Sequence, residues 1–153
     1  MVEAILETTP DAAIGRTVVA LGWATVDADR AAAELAARWP GCAPFVAVAP
    51  EVLLGASCLA GRPVVENGLV VGLVLLEPST EGRLAATLAR HAEGPAALWL
   101  AETSARRDPD EATRRLVSLP AQGPFGSERL LLRGPVAGPH LLLLERPAST
   151  IER

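Results

Sequence analysis

The stretch Leu73-Val74-Leu75-Leu76-Glu77-Pro78 returns near the end of the chain as Leu141-Leu142-Leu143-Leu144-Glu145-Arg146-Pro147. Each copy is trailed by a Ser-Thr pair, Ser79-Thr80 and Ser149-Thr150. Two apolar runs of strand length with the same exit constrain the fold strongly, because they indicate one structural unit used twice. A chain of 153 residues suits two half-sized units that share a core.

The elements around each copy come in the same order. Thr17 to Thr25, with Val18, Val19, Leu21 and Trp23, reads as a buried strand, and Asp27 stands where a helix N-cap belongs, ahead of the alanine-rich run to Trp39 that Pro40-Gly41 stops. Phe45 to Ala49 and Val52 to Leu59 read as strands parted by Pro50; Asn67-Gly68 signals a tight hairpin before the strand Leu69 to Glu77. After a helix with Leu84 and Leu88 at helical spacing, the order recurs. It runs through a strand at 96 to 101, a helix capped at Asp108-Pro109, strands near 117 to 122 and 129 to 133, a hairpin at 134 to 139, and the final leucine strand. The expected organisation is an N-terminal arm (1–16), a first βαβββ module (17–80), a linker helix (81–94), a second βαβββ module (95–147) and a tail (148–153). The expected fold is one α+β domain. Its tandem modules form a curved, mostly antiparallel sheet with a concave cup, and the helices lie on the outer face.

Charge and cysteine usage narrow the function. A net charge of -4 argues against a nucleic-acid surface, which needs clustered positive charge. The fourteen basic residues are all Arg, an imprint of GC-rich coding rather than a functional signal. Cys42 and Cys58 are too few for a disulfide framework and match no zinc spacing, so they read as reduced thiols. With no basic-then-apolar opening segment, and apolar runs far short of the ~20 residues of a membrane helix, the expectation is a soluble cytoplasmic protein.

Three stretches carry a family resemblance. Ala20-Leu21-Gly22-Trp23-Ala24-Thr25-Val26-Asp27-Ala28-Asp29 is similar to the first strand and helix start, His-Ile-Gly-Ile-Ala-Val-x-Asp-Leu-Asp, of methylmalonyl-CoA epimerases. Val74-Leu75-Leu76-Glu77-Pro78 and Leu142-Leu143-Leu144-Glu145-Arg146 follow their Glu-Leu-Leu-Glu-Pro and Glu-Leu-Val-Glu-Arg. Over residues 17 to 147 the chain thus resembles the vicinal oxygen chelate superfamily of glyoxalases, bleomycin resistance proteins and dioxygenases, nearest to its epimerase branch. The resemblance implies a divalent metal held by one ligand from the first strand and one from the last strand of each unit. The matching positions here are Ala20, Val74, Ala97 and Leu142, none of which can donate a lone pair. Shifting by one residue brings in only apolar neighbours, namely Val19, Leu21, Leu73, Leu75, Ala96, Leu98, Leu141 and Leu143. No metal and no cofactor are expected, nor the Lewis-acid chemistry they would supply.

Strand alternation places Ala20, Gly22, Ala24, Val74, Leu76, Ala97, Trp99, Leu142 and Leu144 on the concave face. That apolar cup suits a small, uncharged, largely hydrophobic ligand, as bleomycin resistance proteins sequester drugs without chemistry. Lining types alone do not separate a pocket from a packed interior, and a ligand-free dimeric scaffold remains open beside it. So does an isomerase or lyase using residues the family does not use. Trp23 faces the helices. His91 reads as a surface or cap residue, Cys58 as packing, and Glu77 and Glu145 as pairing with Arg away from the cup. Arg83 and Arg90 fall on the exposed side of the linker helix, Glu102, Arg106 and Arg107 in a solvated loop, and 123 to 126 is a turn. No catalytic residue is assigned. The open edge of each small sheet gives a reason to expect a homodimer.

Overall fold

The computed structural model describes residues 16–102, 116–132 and 139–145. The N-terminal arm before Arg16, the second unit's expected helix, Arg106 and Arg107, most of the hairpin at 134 to 139, and the tail lie outside the described residues.

Strand β1 (Arg16–Ala24) runs into helix α1 (Ala28–Arg38), then β2 (Val46–Glu51), β3 (Ala56–Ala60), β4 (Val64–Glu66) and β5 (Leu69–Pro78). Helix α2 (Arg83–His91) leads to β6 (Gly94–Glu102), β7 (Ala121–Gly123), β8 (Gly126–Leu130) and β9 (His140–Leu144). The strands form one sheet in the order β2-β3-β5-β1-β6-β9-β8-β7, with β4 hydrogen-bonded to the first half of β5. That order is the same read outward from the centre in either direction. The first strands of the two units, β1 and β6, pair antiparallel, and each is flanked by the last strand of its own unit, β5 or β9, running parallel to it. The repeated leucine stretch therefore occupies the same place in both halves. The edge strands β2 and β7 come into contact, so the curved sheet nearly closes on itself.

Local chemistry explains the elements. The Asp27 side chain accepts from the backbone N–H of Arg30 and caps α1, while Glu77 Oε2 accepts from the Ala28 N–H at 2.8 Å. Both acids sit at the positive end of the helix dipole. Asn67 and Gly68 take φ of 52° and 79°, as a two-residue hairpin demands. Glu93 ties the module junction together, accepting from the Thr25 hydroxyl, from the Val26 N–H and, with both carboxylate oxygens, from the Arg30 guanidinium. These donors hold its carboxyl down at about 2, Arg30 contributing most.

Two boundaries differ from expectation. Pro50 lies inside β2 rather than ending it, because β2 is an edge strand where a missing N–H costs no ladder bond. Val52 to Gly55 form the turn, so the strand expected over 52 to 59 starts at Ala56. In the second unit Gly123-Pro124-Phe125-Gly126 makes the hairpin turn, with Gly126 at φ 112°. This places β7 and β8 at 121–123 and 126–130 instead of 117 to 122 and 129 to 133, and Val117 forms only an isolated bridge to Leu131.

Side-chain alternation divides the core between the two faces of the sheet. Leu21, Leu73, Leu75, Leu98, Leu100 and Leu141 pack with Ala31 and Leu35 of α1. Trp23 joins this cluster, as alternation requires. Ala20, Ala24, Val74, Leu76, Ala97, Trp99 and Leu142 face the other way, with Leu144 packed against them, and α2 adds Leu84 and Leu88 to this cluster.

Candidate functional site

The residues expected to line the cup do converge. Ala20, Val74, Leu76, Ala97, Trp99 and Leu142 are fully buried in one cluster, Leu144 is partly buried beside them, and Gly22 lies among them. They pack on one another. A Cβ on Gly22 would stand 2.8 Å from Leu76 Cδ1, 2.9 Å from the Ala97 Cβ and 3.0 Å from Trp99 Cζ3. The centre of the concave face is therefore occupied by the Trp99 ring and its neighbours.

The register also locates the four family ligand positions. Ala20 pairs with Gly72 and Ala97 with His140, so Val74 and Leu142 each sit two residues beyond the direct partner, on the same face and at the same height in both units. All four side chains are buried and carry no donor atom, so they do not fit a divalent cation. Among the described residues no group of three or more His, Cys, Asp or Glu is arranged to hold one.

The concave face is nevertheless not wholly apolar. Glu51, the last residue of β2 and the one buried residue of that strand, and Glu128, in the middle of β8, are both 0 % exposed. They come from opposite units and meet across the seam where the sheet nearly closes. Glu128 Oε2 accepts from Trp99 Nε1 at 2.8 Å, and Glu51 Oε1 accepts from the Leu53 N–H at 2.9 Å. The remaining oxygens, Glu51 Oε2 and Glu128 Oε1, have no donor. Burial, and then hydrogen bonding and charge repulsion from Glu51, push the Glu128 carboxyl up to about 9, so it holds its proton at neutral pH. That proton, shared between the two carboxyls, satisfies both orphaned oxygens. Gly123 leaves the room for this acid, since a Cβ there would overlap the Glu128 carboxyl.

The Phe125 ring, 38 % exposed on the β7–β8 turn, meets Trp99 edge-on with centroids 5.3 Å apart. Cys58 on β3 lies near both carboxyls, and burial pushes its thiol up to about 12, which makes it a neutral neighbour rather than a nucleophile.

The other polar candidates fall elsewhere. Glu145 pairs with Arg129 at 2.6 Å and accepts from Ser127, as a role away from the cup requires. Among the described residues Glu77 shows no Arg partner; it accepts from the helix N-terminus instead, a correction that follows from α1 starting beside the end of β5. His91 is exposed at the end of α2, and His140 shares a 2.9 Å hydrogen bond with Thr87. A cleft of about 250 Å³, lined by Asp27, Ala28, Asp29, Ser57, Leu59, Leu75 and Glu77, opens beside the start of α1, on the side away from the cup.

Sequence reading missed both glutamates. Glu51 was hidden by ending the strand at Pro50, and Glu128 by starting its strand at Arg129. Extending β8 back to Gly126 puts Glu128 in phase with buried Leu130, which was the available signal.

Comparison with known proteins agrees with the geometry. No protein-family model matches the chain, and no curated protein does. Among solved structures, a Streptomyces coelicolor methylmalonyl-CoA epimerase variant in complex with 2-nitronate-propionyl-CoA superposes with a TM-score of 0.62 at 23% identity, covering 82% of this chain and 94% of that one. The Mycobacterium tuberculosis methylmalonyl-CoA epimerase gives 0.59 at 17% identity, over 86% and 88%. A hypothetical protein from Bacillus halodurans gives 0.61 at 14% identity, over 88% and 99%. The fold is that of the glyoxalase type, as the sequence resemblance implies.

Proposed function

We propose that this chain is a glyoxalase-fold protein that works without a cation at the four usual positions and holds a small, largely apolar molecule against the concave face of its sheet. The observation that carries this reading is the acid pair. Two fully buried carboxyls, joined through a shared proton, sit in a face otherwise built of Ala, Gly, Val, Leu and Trp. Taking ionisable groups out of water into an apolar surround is costly, and a face serving only as core gains nothing from two of them. As polar anchors in an apolar surround, they match the makeup of small-molecule sites. Entry would require the Phe125 turn to swing and the Trp99 ring to shift.

The test is elemental analysis of the purified protein together with titration of its tryptophan emission by benzyl alcohol, with Trp99→Phe as the reference. The reading predicts no stoichiometric divalent metal and a saturable change that the reference lacks. A tightly held equivalent of metal, or a Trp99 signal indifferent to the probe, would overturn it.

A second reading rests on the same pair. A carboxylic acid beside a second carboxyl is a proton donor facing an acceptor, which is the arrangement for moving a proton next to a carbonyl. It favours an isomerase or lyase using residues the family does not use. Deuterium uptake from D2O at the carbon next to the carbonyl of an acyl-CoA thioester, lost in Glu51→Gln, would support it, and its absence with the native chain would dismiss it.

A further inference from the structure

The sheet ends on β2 at one side and β7 at the other, and among the described residues these two edges meet without a hydrogen-bonded ladder between them. Side chains hold that seam. On β2, Val46, Ala47, Ala49 and Pro50 are exposed, so this edge turns inward only the half-buried Val48 and, at its end, Glu51. Opposite it, β7 is three residues long, and the Glu128 carboxyl from the adjoining β8 lies directly against Gly123. The two carboxyls therefore span the seam from the first unit to the second. Among the described residues, the groups that face them are the Cys58 thiol from β3, the Trp99 indole N–H from β6 and the Leu53 N–H from the turn after β2, all uncharged. The neighbours of Glu128 along β8 point the other way, Ser127 and Arg129 both bonding Glu145. With one proton between them the two carboxyls attract. Without it, two like charges face each other where burial keeps solvent from screening them.

We propose that the Glu51–Glu128 pair is a proton-dependent latch on the seam between β2 and β7, tying the two units together while a proton is shared and parting them locally when it leaves. The strands at the seam are the ones able to give way. β7, at the end of the sheet, is bonded to β8 through three residue pairs, while β1 and β6 hold the middle of the sheet with a ladder on each side. Parting the seam withdraws Glu128 from the Trp99 N–H and bares that ring, and with it the concave face. The latch is shut at acidic and neutral pH and opens where Glu128 loses its proton, which burial and Glu51 postpone from 4.5 to about 9. It needs no ligand, so it does not depend on the reading of that face as a binding site.

The experiment follows acrylamide quenching of tryptophan emission from neutral to alkaline pH, with far-ultraviolet circular dichroism alongside. It uses the native chain and a chain carrying Trp23→Phe and Trp39→Phe, in which Trp99 is the remaining tryptophan. The quenching constant should rise about threefold or more as local opening carries the ring from a dry interior to solvent, while the dichroism stays unchanged. The midpoint should lie at about 9. The chain has no Tyr and no Lys, so no phenol or side-chain amine titrates in that range. Cys58→Ser should leave the midpoint in place, and Glu128→Gln should give a level profile. Should that last variant fail to fold, Glu51→Gln replaces it with the same expected result, since a single charge at the seam has no like charge to repel it. A level native profile would overturn the latch, as would a rise that persists in the Gln variant or a midpoint that moves with Cys58→Ser. So would a rise accompanied by loss of the dichroism signal, which reports unfolding of the whole chain instead of opening at the seam. None of these outcomes bears on whether the concave face takes a ligand.

Discussion

Replacing Glu128 by Gln tests the account of the buried pair most directly. The amide keeps an oxygen for the Trp99 N–H and places N–H groups where the shared proton stands, but it cannot titrate. In the native chain the Glu128 carboxyl is raised from its ordinary 4.5 to about 9. The folded state therefore keeps a proton that the unfolded chain releases. Its contribution is complete below about pH 4.5 and is lost as pH rises toward 9, at about 1.4 kcal/mol per pH unit. Between about pH 7 and about pH 8.5 the native chain should lose about 2 kcal/mol. That window avoids the other shifted groups. Burial lowers the pKa of His140 from 6.5, so its contribution is present above that value and lost only as pH falls below it. The thiols Cys42 and Cys58 are raised from 9.0, so theirs is lost only above the window. Urea unfolding followed by circular dichroism across the window should show a falling free energy for the native chain and a nearly level one for Glu128→Gln. Two parallel profiles, or a level native profile, would refute the idea that these carboxyls share a proton in the folded state.

Three further outcomes follow from particular contacts. Gly22→Ala puts a methyl within 3 Å of Leu76, Ala97 and Trp99 and should cost about 1–3 kcal/mol by overpacking, read as a lower Tm; an unchanged Tm would mean that the concave face has spare room. Asp27→Ala removes the α1 cap and should lower the urea unfolding free energy by about 1 kcal/mol. Glu93→Gln should flatten the acid limb of the stability profile. The native carboxyl is depressed to about 2 by Arg30, the Val26 N–H and the Thr25 hydroxyl, so its contribution is present above about pH 4.5 and lost as pH falls toward 2. Circular dichroism during an acid titration reads that difference directly.

The repeated leucine stretch, the Asp27 cap and the Asn67-Gly68 turn were enough to determine the order of the first unit's elements, the faces taken by the residues of β1, β5, β6 and β9, and the apolar character of the four family ligand positions. These are local properties. Period-two alternation fixes which side chains share a face, and capping and turn chemistry depend on neighbours a few residues away. The tertiary structure alone decided what stands in the middle of that face. Glu51 and Glu128 are 77 residues apart (128 − 51 from the numbering), and each belongs to a short strand whose end a proline or glycine obscures. Their meeting depends on β2 and β7 coming together as the sheet curls, a closure that no local pattern encodes. The same curling packs Trp99 into the cup and shelters the pair from water, so the protonation of Glu128 is a property of the assembled barrel rather than of either stretch.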